Sequence, residues 1–150
     1  MLPSRHIVAS LALGAIVSSF SESLLAGLVC FFSGILVDAD HIIEYIIHYG
    51  RRAFSFKVIY DACLKMVNRE KNGGVARIFI FFHVGEIAIL LWILALLTKN
   101  VYLLSMALGY TTHLLMDMSG RTLHPCAYFI LVRAKNGFRT TDLIKRHTEA

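Results

Sequence analysis

The sequence lacks paired cysteines. Cys30, Cys63 and Cys126 are far apart, with no C-x-x-C pair and no even-numbered set, so the pattern indicates reduced cysteines that serve in packing rather than a disulfide framework. The chain also lacks an internal repeat, a low-complexity segment and a small-residue cleavage site after its first apolar block. We therefore expect that block to be a helix of the folded chain rather than a secretory signal.

Apolar residues dominate the composition. They make up 57% of the 150 residues, with a mean hydropathy of +0.64, which exceeds the usual apolar share of soluble proteins and fits one domain. The formal net charge of +5 would suit nucleic acid. In a membrane protein, however, basic residues serve first as topology and headgroup anchors, so we expect no nucleic-acid partner.

Four apolar blocks predict an all-α fold, a polytopic membrane bundle of one domain. The predicted spans are residues 6–20, 24–48, 75–98 and 101–118, each about the length that crosses roughly 30 Å of hydrocarbon. Ser21, Glu22 and Ser23 interrupt an apolar run that is too long for one span. This interruption favours a tight turn between two helices over one long tilted helix. The second helix is expected to continue past Asp38 and to end at Gly50.

The long connection between the second and third blocks has an amphipathic pattern. Apolar residues recur at helical spacing over residues 54–68, opposite Lys57, Asp61 and Lys65, which predicts a helix on the membrane surface. The apolar stretch from Ala127 to Val132 is too short to span.

The lysines and arginines predict an orientation. Arg5, seven residues of the 51–77 region and six after Gly120 fall on one side, against Lys99 alone on the other, or fourteen of fifteen. The positive-inside rule then predicts an integral protein of a bacterial or archaeal cell membrane (an inner membrane) with both termini in the cytoplasm.

Ionisable residues inside the predicted spans need a partner or a function. Those residues are His6, Asp38, Asp40, His41, Glu44, His48, His83, Glu86, His113 and Asp117. Spacings of three or four residues, such as His83-x-x-Glu86 and His113-x-x-x-Asp117, place such pairs on one helix face. At 1.5 Å per residue, the predicted orientation brings ligand-type residues of all four helices to the same cytoplasmic third, which indicates a single site.

Imidazole and carboxylate without cysteine favour zinc, manganese or iron over copper(I). A carboxylate such as Asp117 can bridge two ions, so we expect one or two. The alternative is that these groups only hydrogen-bond across the bundle. Glu44 and His48 fit surface exposure better than ligation, His124 is a further candidate ligand, and His147 fits a solvated position.

These motifs resemble those of the membrane-bound metal-dependent hydrolases, helical proteins distantly similar to zinc-dependent phospholipase C. The resemblance covers roughly residues 6–117 and rests on an early histidine, G-x-x-x-D-x-D-H, H-x-x-E and G-x-x-x-H-x-x-x-D. In this chain they are His6, Gly34 to His41, His83 to Glu86 and Gly109 to Asp117. Many relatives carry H-R-x-x-T-H-S in the middle, where this chain has Phe82-His83-Val84-Gly85-Glu86. The resemblance implies an all-helical hydrolase.

The resulting hypothesis is a hydrolase in which a metal ion, zinc in the first place, lowers the pKa of a water. The expected core ligands are Asp40, His83, His113 and Asp117, with His6, Asp38 and His41 completing a second ion or an outer layer, and Glu86 within reach of the metal. Glu86 and Asp38 are the expected catalytic residues, with Glu86 as general base. The expected substrate is a phosphoester or a lipid-linked molecule at the membrane. A metal or proton transporter and a structural membrane protein are the alternatives.

Overall fold

The computed structural model describes residues 3–39, 82–120 and 124–138. The helices are α1 (Pro3–Ser21), α2 (Leu24–Leu36), α3 (Gly85–Thr98), α4 (Val101–Gly120) and α5 (Ile130–Lys135), with a 3₁₀ helix at Pro125–Tyr128. No strand occurs within these ranges. The expectation of an all-helical chain therefore agrees with the described residues.

The prediction of a membrane bundle is wrong. Within the described ranges, no helix combines the length and the apolar character that a membrane crossing needs. Helices α2 and α3 have 13 and 14 residues, or about 20 Å at 1.5 Å per residue, against about 30 Å of hydrocarbon. Helices α1 and α4 are longer, but serines, threonines and ionisable residues dilute their apolar runs. This finding also overturns the predicted location in a bacterial or archaeal cell membrane with cytoplasmic termini.

Two of the predicted helices differ from the observed ones at the ends that carry ionisable residues. Helix α2 ends at Leu36 instead of continuing past Asp38, because the Asp38 amide donates to the Ile35 carbonyl and tightens the last turn. Helix α3 begins at Gly85, after an extended Val84, so the block predicted from residue 75 is helical only in its later part among the described residues. The predicted surface helix at 54–68 lies outside the described residues.

Short turns connect the helices in pairs. Glu22 adopts a left-handed conformation (φ 51°), and Ser23 Oγ accepts from the Ala26 amide at the start of α2. The Ser21–Ser23 interruption is thus a tight turn between two helices and not part of one long helix. Lys99 is also left-handed (φ 52°), and Asn100 Oδ1 accepts from the Tyr102 and Leu103 amides at the start of α4.

Helix α2 packs between α1 and α4 at backbone contact. A Cβ at Gly27 would lie 2.6 Å from the Gly14 carbonyl oxygen of α1, and a Cβ at Gly109 of α4 would overlap the Cys30 carbonyl oxygen. Ser33 also donates to the Met106 carbonyl at 3.2 Å. Each turn reverses the chain, so α1 and α3 run in one direction and α2 and α4 in the other.

Cys30 lies in this packed region as a free, buried thiol. Burial raises the pKa of the Cys30 thiol, which keeps it protonated and unreactive. This agrees with the expected packing role. Cys126 is free and exposed, and Cys63 lies outside the described residues.

Candidate metal centre

Five of the predicted site residues meet at one end of the bundle. His6 lies in the first turns of α1, Asp38 follows α2, His83 precedes α3, and His113 and Asp117 lie on one face of α4. In antiparallel helices joined by short turns, the beginnings of α1 and α3 lie beside the ends of α2 and α4. His6, His83, His113 and Asp117 are buried, each at most 2% exposed, whereas the Asp38 side chain is 25% exposed.

Four side-chain atoms lie close together at this end of the bundle. His83 Nε2 lies 3.2 Å from His113 Nε2, 3.2 Å from Asp117 Oδ2 and 3.4 Å from Asp38 Oδ1. His113 Nε2 lies 3.5 Å from Asp38 Oδ1 and 3.8 Å from Asp117 Oδ2. Bonds of 2.0–2.2 Å in a tetrahedral zinc site place neighbouring ligand atoms about 3.3–3.6 Å apart. His83 Nε2, His113 Nε2 and Asp117 Oδ2 lie 3.2–3.8 Å apart, close to that spacing, and Asp38 Oδ1 lies 3.4–3.5 Å from the two histidines.

The Gly34 carbonyl fixes which nitrogen of His113 carries the proton. His113 Nδ1 lies 2.6 Å from this oxygen, and a carbonyl only accepts, so Nδ1–H is the donor. In the neutral ring, Nε2 then presents a lone pair toward His83 and the two carboxylates. Such a hydrogen bond from the second ring nitrogen is the usual outer-layer contact of a metal-bound histidine.

His6 lies beside this set rather than within it. Its ring stacks on His113 with 4.1 Å between centroids, and its Nε2 is 3.3 Å from Asp117 Oδ1. Asp117 thus directs one carboxylate oxygen to His6 and the other to His83. His6 Nδ1 is buried and finds no hydrogen-bond partner among the described residues.

Two overlapping groups of ligand atoms are close enough to hold an ion. One consists of His83, His113 and Asp117, and the other of His6, Asp38 and His113, with the atoms of each group within 4.8 Å of one another. Both groups need His113, whose Nδ1 is already bonded to Gly34. The two groups therefore overlap at His113 and are not two separate sets of ligands. The buried histidines and aspartates can thus hold a metal ion, as the sequence suggested, and its identity is open.

Glu86 has a different environment. Its Oε1 accepts from the Leu131 amide of α5 at 3.3 Å, and its Oε2 is buried without a hydrogen-bond partner within the described segments. Glu86 belongs to neither of the two groups described above. Its assignments as metal ligand and as general base stay predictions.

Other predicted residues fall elsewhere. Asp40, His41, Glu44, His48 and His147 lie outside the described residues, so the placement of Asp40 among the core ligands is untested. His124 is exposed, and its Nδ1 accepts from the Cys126 amide at the start of the 3₁₀ helix.

The sequence did not single out Tyr110 and Arg133, which hold the segment around His83. The Tyr110 hydroxyl lies 2.5 Å from the Phe82 carbonyl oxygen, and Arg133 Nη2 donates to the His83 carbonyl at 2.8 Å. Each had a weak sequence signal. Tyr110 lies three residues before His113 on α4, and Arg133 ends an otherwise apolar stretch.

An apolar cavity of about 670 Å³ lies between α2, α3 and α4. Aliphatic and aromatic side chains form nearly all of its wall. Its lining includes Val37 and Ala39, which flank Asp38, and Phe82, which precedes His83. The cavity is of a size that holds small ligands, and part of its wall is adjacent in sequence to the candidate metal ligands.

The comparisons with known proteins add no relative: no family model matches the chain, and neither does a curated protein or a solved structure.

Proposed function

We propose that this protein is a metal-dependent hydrolase that binds one divalent cation, zinc in the first place, and cleaves phosphoesters. The observation that carries the proposal is the arrangement of Asp38, His83, His113 and Asp117, whose ligand atoms lie 3.2–3.8 Å apart in the pairs measured. With its Nδ1–H donated to Gly34, His113 directs a lone pair at carboxylate oxygens. The lone pair and the carboxylate oxygens repel one another, and a cation held between them would be bound by both.

The donor set favours zinc among the expected metals. His83, His113 and Asp117 would supply two nitrogens and one oxygen, which leaves the fourth position of a zinc ion for water, as in catalytic zinc sites. The Asp38 carboxylate, 3.4–3.5 Å from the two histidines, would lie beside that position. A divalent cation held there would supply a water of lowered pKa, and so a hydroxide nucleophile near neutral pH.

Asp38, Asp117 and His6 would have different roles around the metal ion. Asp38 is the only member of the four-atom set that solvent reaches to any extent, at 25% against at most 1% for the others, so water and substrate would approach from its side. The Asp38 carboxylate at that opening would hydrogen-bond the attacking water, while Glu86 keeps the expected role of general base. His6 lies beside the site, where its 3.3 Å contact with Asp117 Oδ1 would orient the Asp117 carboxylate.

The apolar cavity supports a substrate that has a hydrocarbon part. A phosphoester would place its charged oxygens at the cation, and an attached hydrocarbon chain would bury apolar surface in the cavity, at about 25 cal/mol per Å². Val37, Ala39 and Phe82 of the cavity wall are the sequence neighbours of Asp38 and His83. A phosphoester with an apolar substituent is therefore the proposed substrate class.

The alternative is a structural role, in which the same side chains only hydrogen-bond between helices. The 3.2–3.8 Å contacts also suit a network of protonated histidines and carboxylates. That alternative predicts a protein without bound metal and without turnover.

Metal analysis and turnover of the purified protein separate these functions. We expect one zinc per chain in the wild type, and hydrolysis of aryl phosphodiesters with and without a long alkyl chain, faster with the chain. His113→Ala and Asp117→Ala should each lose most of the metal, since removal of a direct ligand exceeds the 10- to 100-fold effect of outer-layer changes. His124→Ala, an exposed histidine, is the matched control and should keep both. Unchanged metal content in both ligand variants would refute the metal centre, and metal without hydrolysis would refute the activity alone.

A further inference from the structure

The segment that carries His83 is not helical. Residues 82–84 precede α3 in bend and extended conformations, with Val84 at φ −126° and ψ 122°. His83 and Val84 are buried at 1% and 2% exposure, so water cannot satisfy their backbone groups freely. Buried backbone groups need other partners.

Side chains from two other elements supply those partners. The Tyr110 hydroxyl of α4 contacts the Phe82 carbonyl and accepts from the Val84 amide at 3.2 Å. Between these two residues, Arg133 Nη2 donates to the His83 carbonyl at 2.8 Å. The backbone on both sides of the His83 side chain is thus fixed by long-range contacts.

Arg133 connects this segment to the C-terminal part of the fold. Its Nε donates to the Ala127 carbonyl, at the 3₁₀ helix. The guanidinium therefore bridges two carbonyls that are 44 residues apart in the chain, since Ala127 and His83 differ by that number. Only a planar group with several fixed donors makes both bonds at once.

Burial of the Arg133 guanidinium costs free energy that its contacts must offset. The residue is 3% exposed although it lies in the last turn of a six-residue helix, where an arginine could reach water. Taking a guanidinium out of water costs several kcal/mol. Its hydrogen bonds to the Ala127 and His83 carbonyls contribute to offsetting that cost.

We propose that Arg133 is a positioning residue for the metal centre: it fixes the backbone of His83 so that Nε2 meets Asp38, His113 and Asp117 at ligand distance. This inference rests on the proposed metal centre. His83 Nε2 makes three contacts of 3.2–3.4 Å, and a small rotation of the peptide would displace it from all three. The C-terminal segment, residues 124–138, then sets the position of His83 in the site, although it supplies none of the four ligand atoms.

Cobalt(II) in place of zinc gives the test a spectroscopic signal. We expect Arg133→Met to bind Co²⁺ about 10- to 100-fold more weakly, as outer-layer substitutions do. Its visible absorption should weaken, because loss of His83 from the coordination sphere lets water enter and raises the coordination number. Arg133→Lys keeps the charge but reaches one carbonyl at most, so we expect a loss of about tenfold, the lower end of that range. Lys135→Met, an exposed position on the same helix, is the control and should match the wild type.

A purely structural role for Arg133 predicts a different result. In that case Arg133→Met would lower the melting temperature of the metal-free protein, while the folded fraction would keep wild-type Co²⁺ affinity and absorption. That result overturns the proposal. If Arg133→Met does not fold, Arg133→Lys alone decides, and wild-type affinity and absorption in that variant overturn the proposal as well.

Imidazole nitrogen NMR of the metal-free protein keeps the two proposals separable. The His83 ring signals, assigned through His83→Gln, should shift in Arg133→Met and not in Lys135→Met, because the ring changes its contacts. A wild type that binds no metal would refute the proposed function and the role in metal binding. Unmoved His83 signals in that case would show that Arg133 does not position the ring either.

Discussion

The two ends of the helical bundle use polar residues in opposite ways. At the turn end, which comprises residues 21–23 and 98–100, polar side chains bind amides two or three residues away, as Ser23 and Asn100 do. At the site end, which comprises His6, Asp38, His83, His113 and Asp117, most partners are far apart in sequence, and all of these residues but Asp38 are buried. His113 and Gly34, for example, are separated by 79 residues.

The polar residues of the turn end serve stability, and those of the site end serve the proposed function. The turn end satisfies backbone groups that every helix start leaves open, so its polar residues need no other explanation. The site end gathers carboxylates and imidazoles away from water, which costs free energy that only further interactions offset. Substitutions at the two ends should therefore be distinguishable by what they change: ligand binding and turnover at one end, and the free energy of unfolding at the other.

The largest effect at the site end is expected for Glu86→Gln. If Glu86 is the general base, this change should lower turnover about 10²- to 10⁴-fold while metal content is retained. Gln can still accept from the Leu131 amide, the contact that Glu86 Oε1 makes, so the fold should persist. Phosphodiester hydrolysis and zinc content of the variant would be compared with wild type. Full turnover in the variant would limit Glu86 to holding α5 and leave Asp38 as the base.

His6→Ala should have the next largest effect. Because His6 contacts Asp117 Oδ1 and stacks on His113, its loss should weaken metal binding about 10- to 100-fold without abolishing it. Zinc affinity by chelator competition and the number of ions per chain would be measured. A change in stoichiometry from two ions to one would instead make His6 a direct ligand and contradict the single-ion centre.

Gly109→Ala tests the close packing of α4 against α2. A methyl group at Gly109 would overlap the Cys30 carbonyl oxygen, a backbone atom that cannot move independently. We expect a loss of about 1–3 kcal/mol in the free energy of unfolding, the usual cost of overpacking, measured by denaturant titration.

Gly85→Ala is the matched control for this substitution. The three atoms nearest to its added methyl all belong to the Phe129 ring, at 3.0–3.3 Å, and this side chain can shift. The loss should therefore be smaller than for Gly109→Ala. Equal losses in the two variants would contradict the close packing of α2 against α4.

How much of this could be read from the sequence also differs between the ends. Ser21–Ser23 marked the first turn because its chemistry is local. At the site end, the spacing of His113 and Asp117 gave one helix face, and the convergence of His6, Asp38 and His83 with them was foreseen. That prediction relied on the depth of each residue in a membrane, and this basis was wrong. Antiparallel helices with short turns bring the same ends together without any membrane.

The parts that were missed depend on long-range contacts. Helical periodicity cannot show that residues 82–84 are not helical, because Tyr110 and Arg133, 26 or more residues away, satisfy backbone groups of that segment. The same limit concealed the Gly34 carbonyl as the group that sets the proton of His113. Composition also suggested helices that cross a membrane, whereas the observed length of α2 and α3 is set by where their caps fall.

The smallest expected effect lies at the turn end. Asn100→Ala removes the oxygen that accepts from the Tyr102 amide at 2.8 Å and the Leu103 amide at 3.2 Å, so α4 should lose about 1 kcal/mol of stability. Asn100→Asp keeps an acceptor at the same place, and a negative charge suits a helix start, so it should unfold within about 0.5 kcal/mol of wild type. Both variants would be compared by denaturant titration and by zinc affinity, with affinity unchanged because Asn100 and the site residues lie at opposite ends of α4. A fall in zinc affinity for Asn100→Ala, with wild-type affinity in Asn100→Asp, would mean that the capped start of α4 is coupled to the position of His113, and the separation of the two ends would fail.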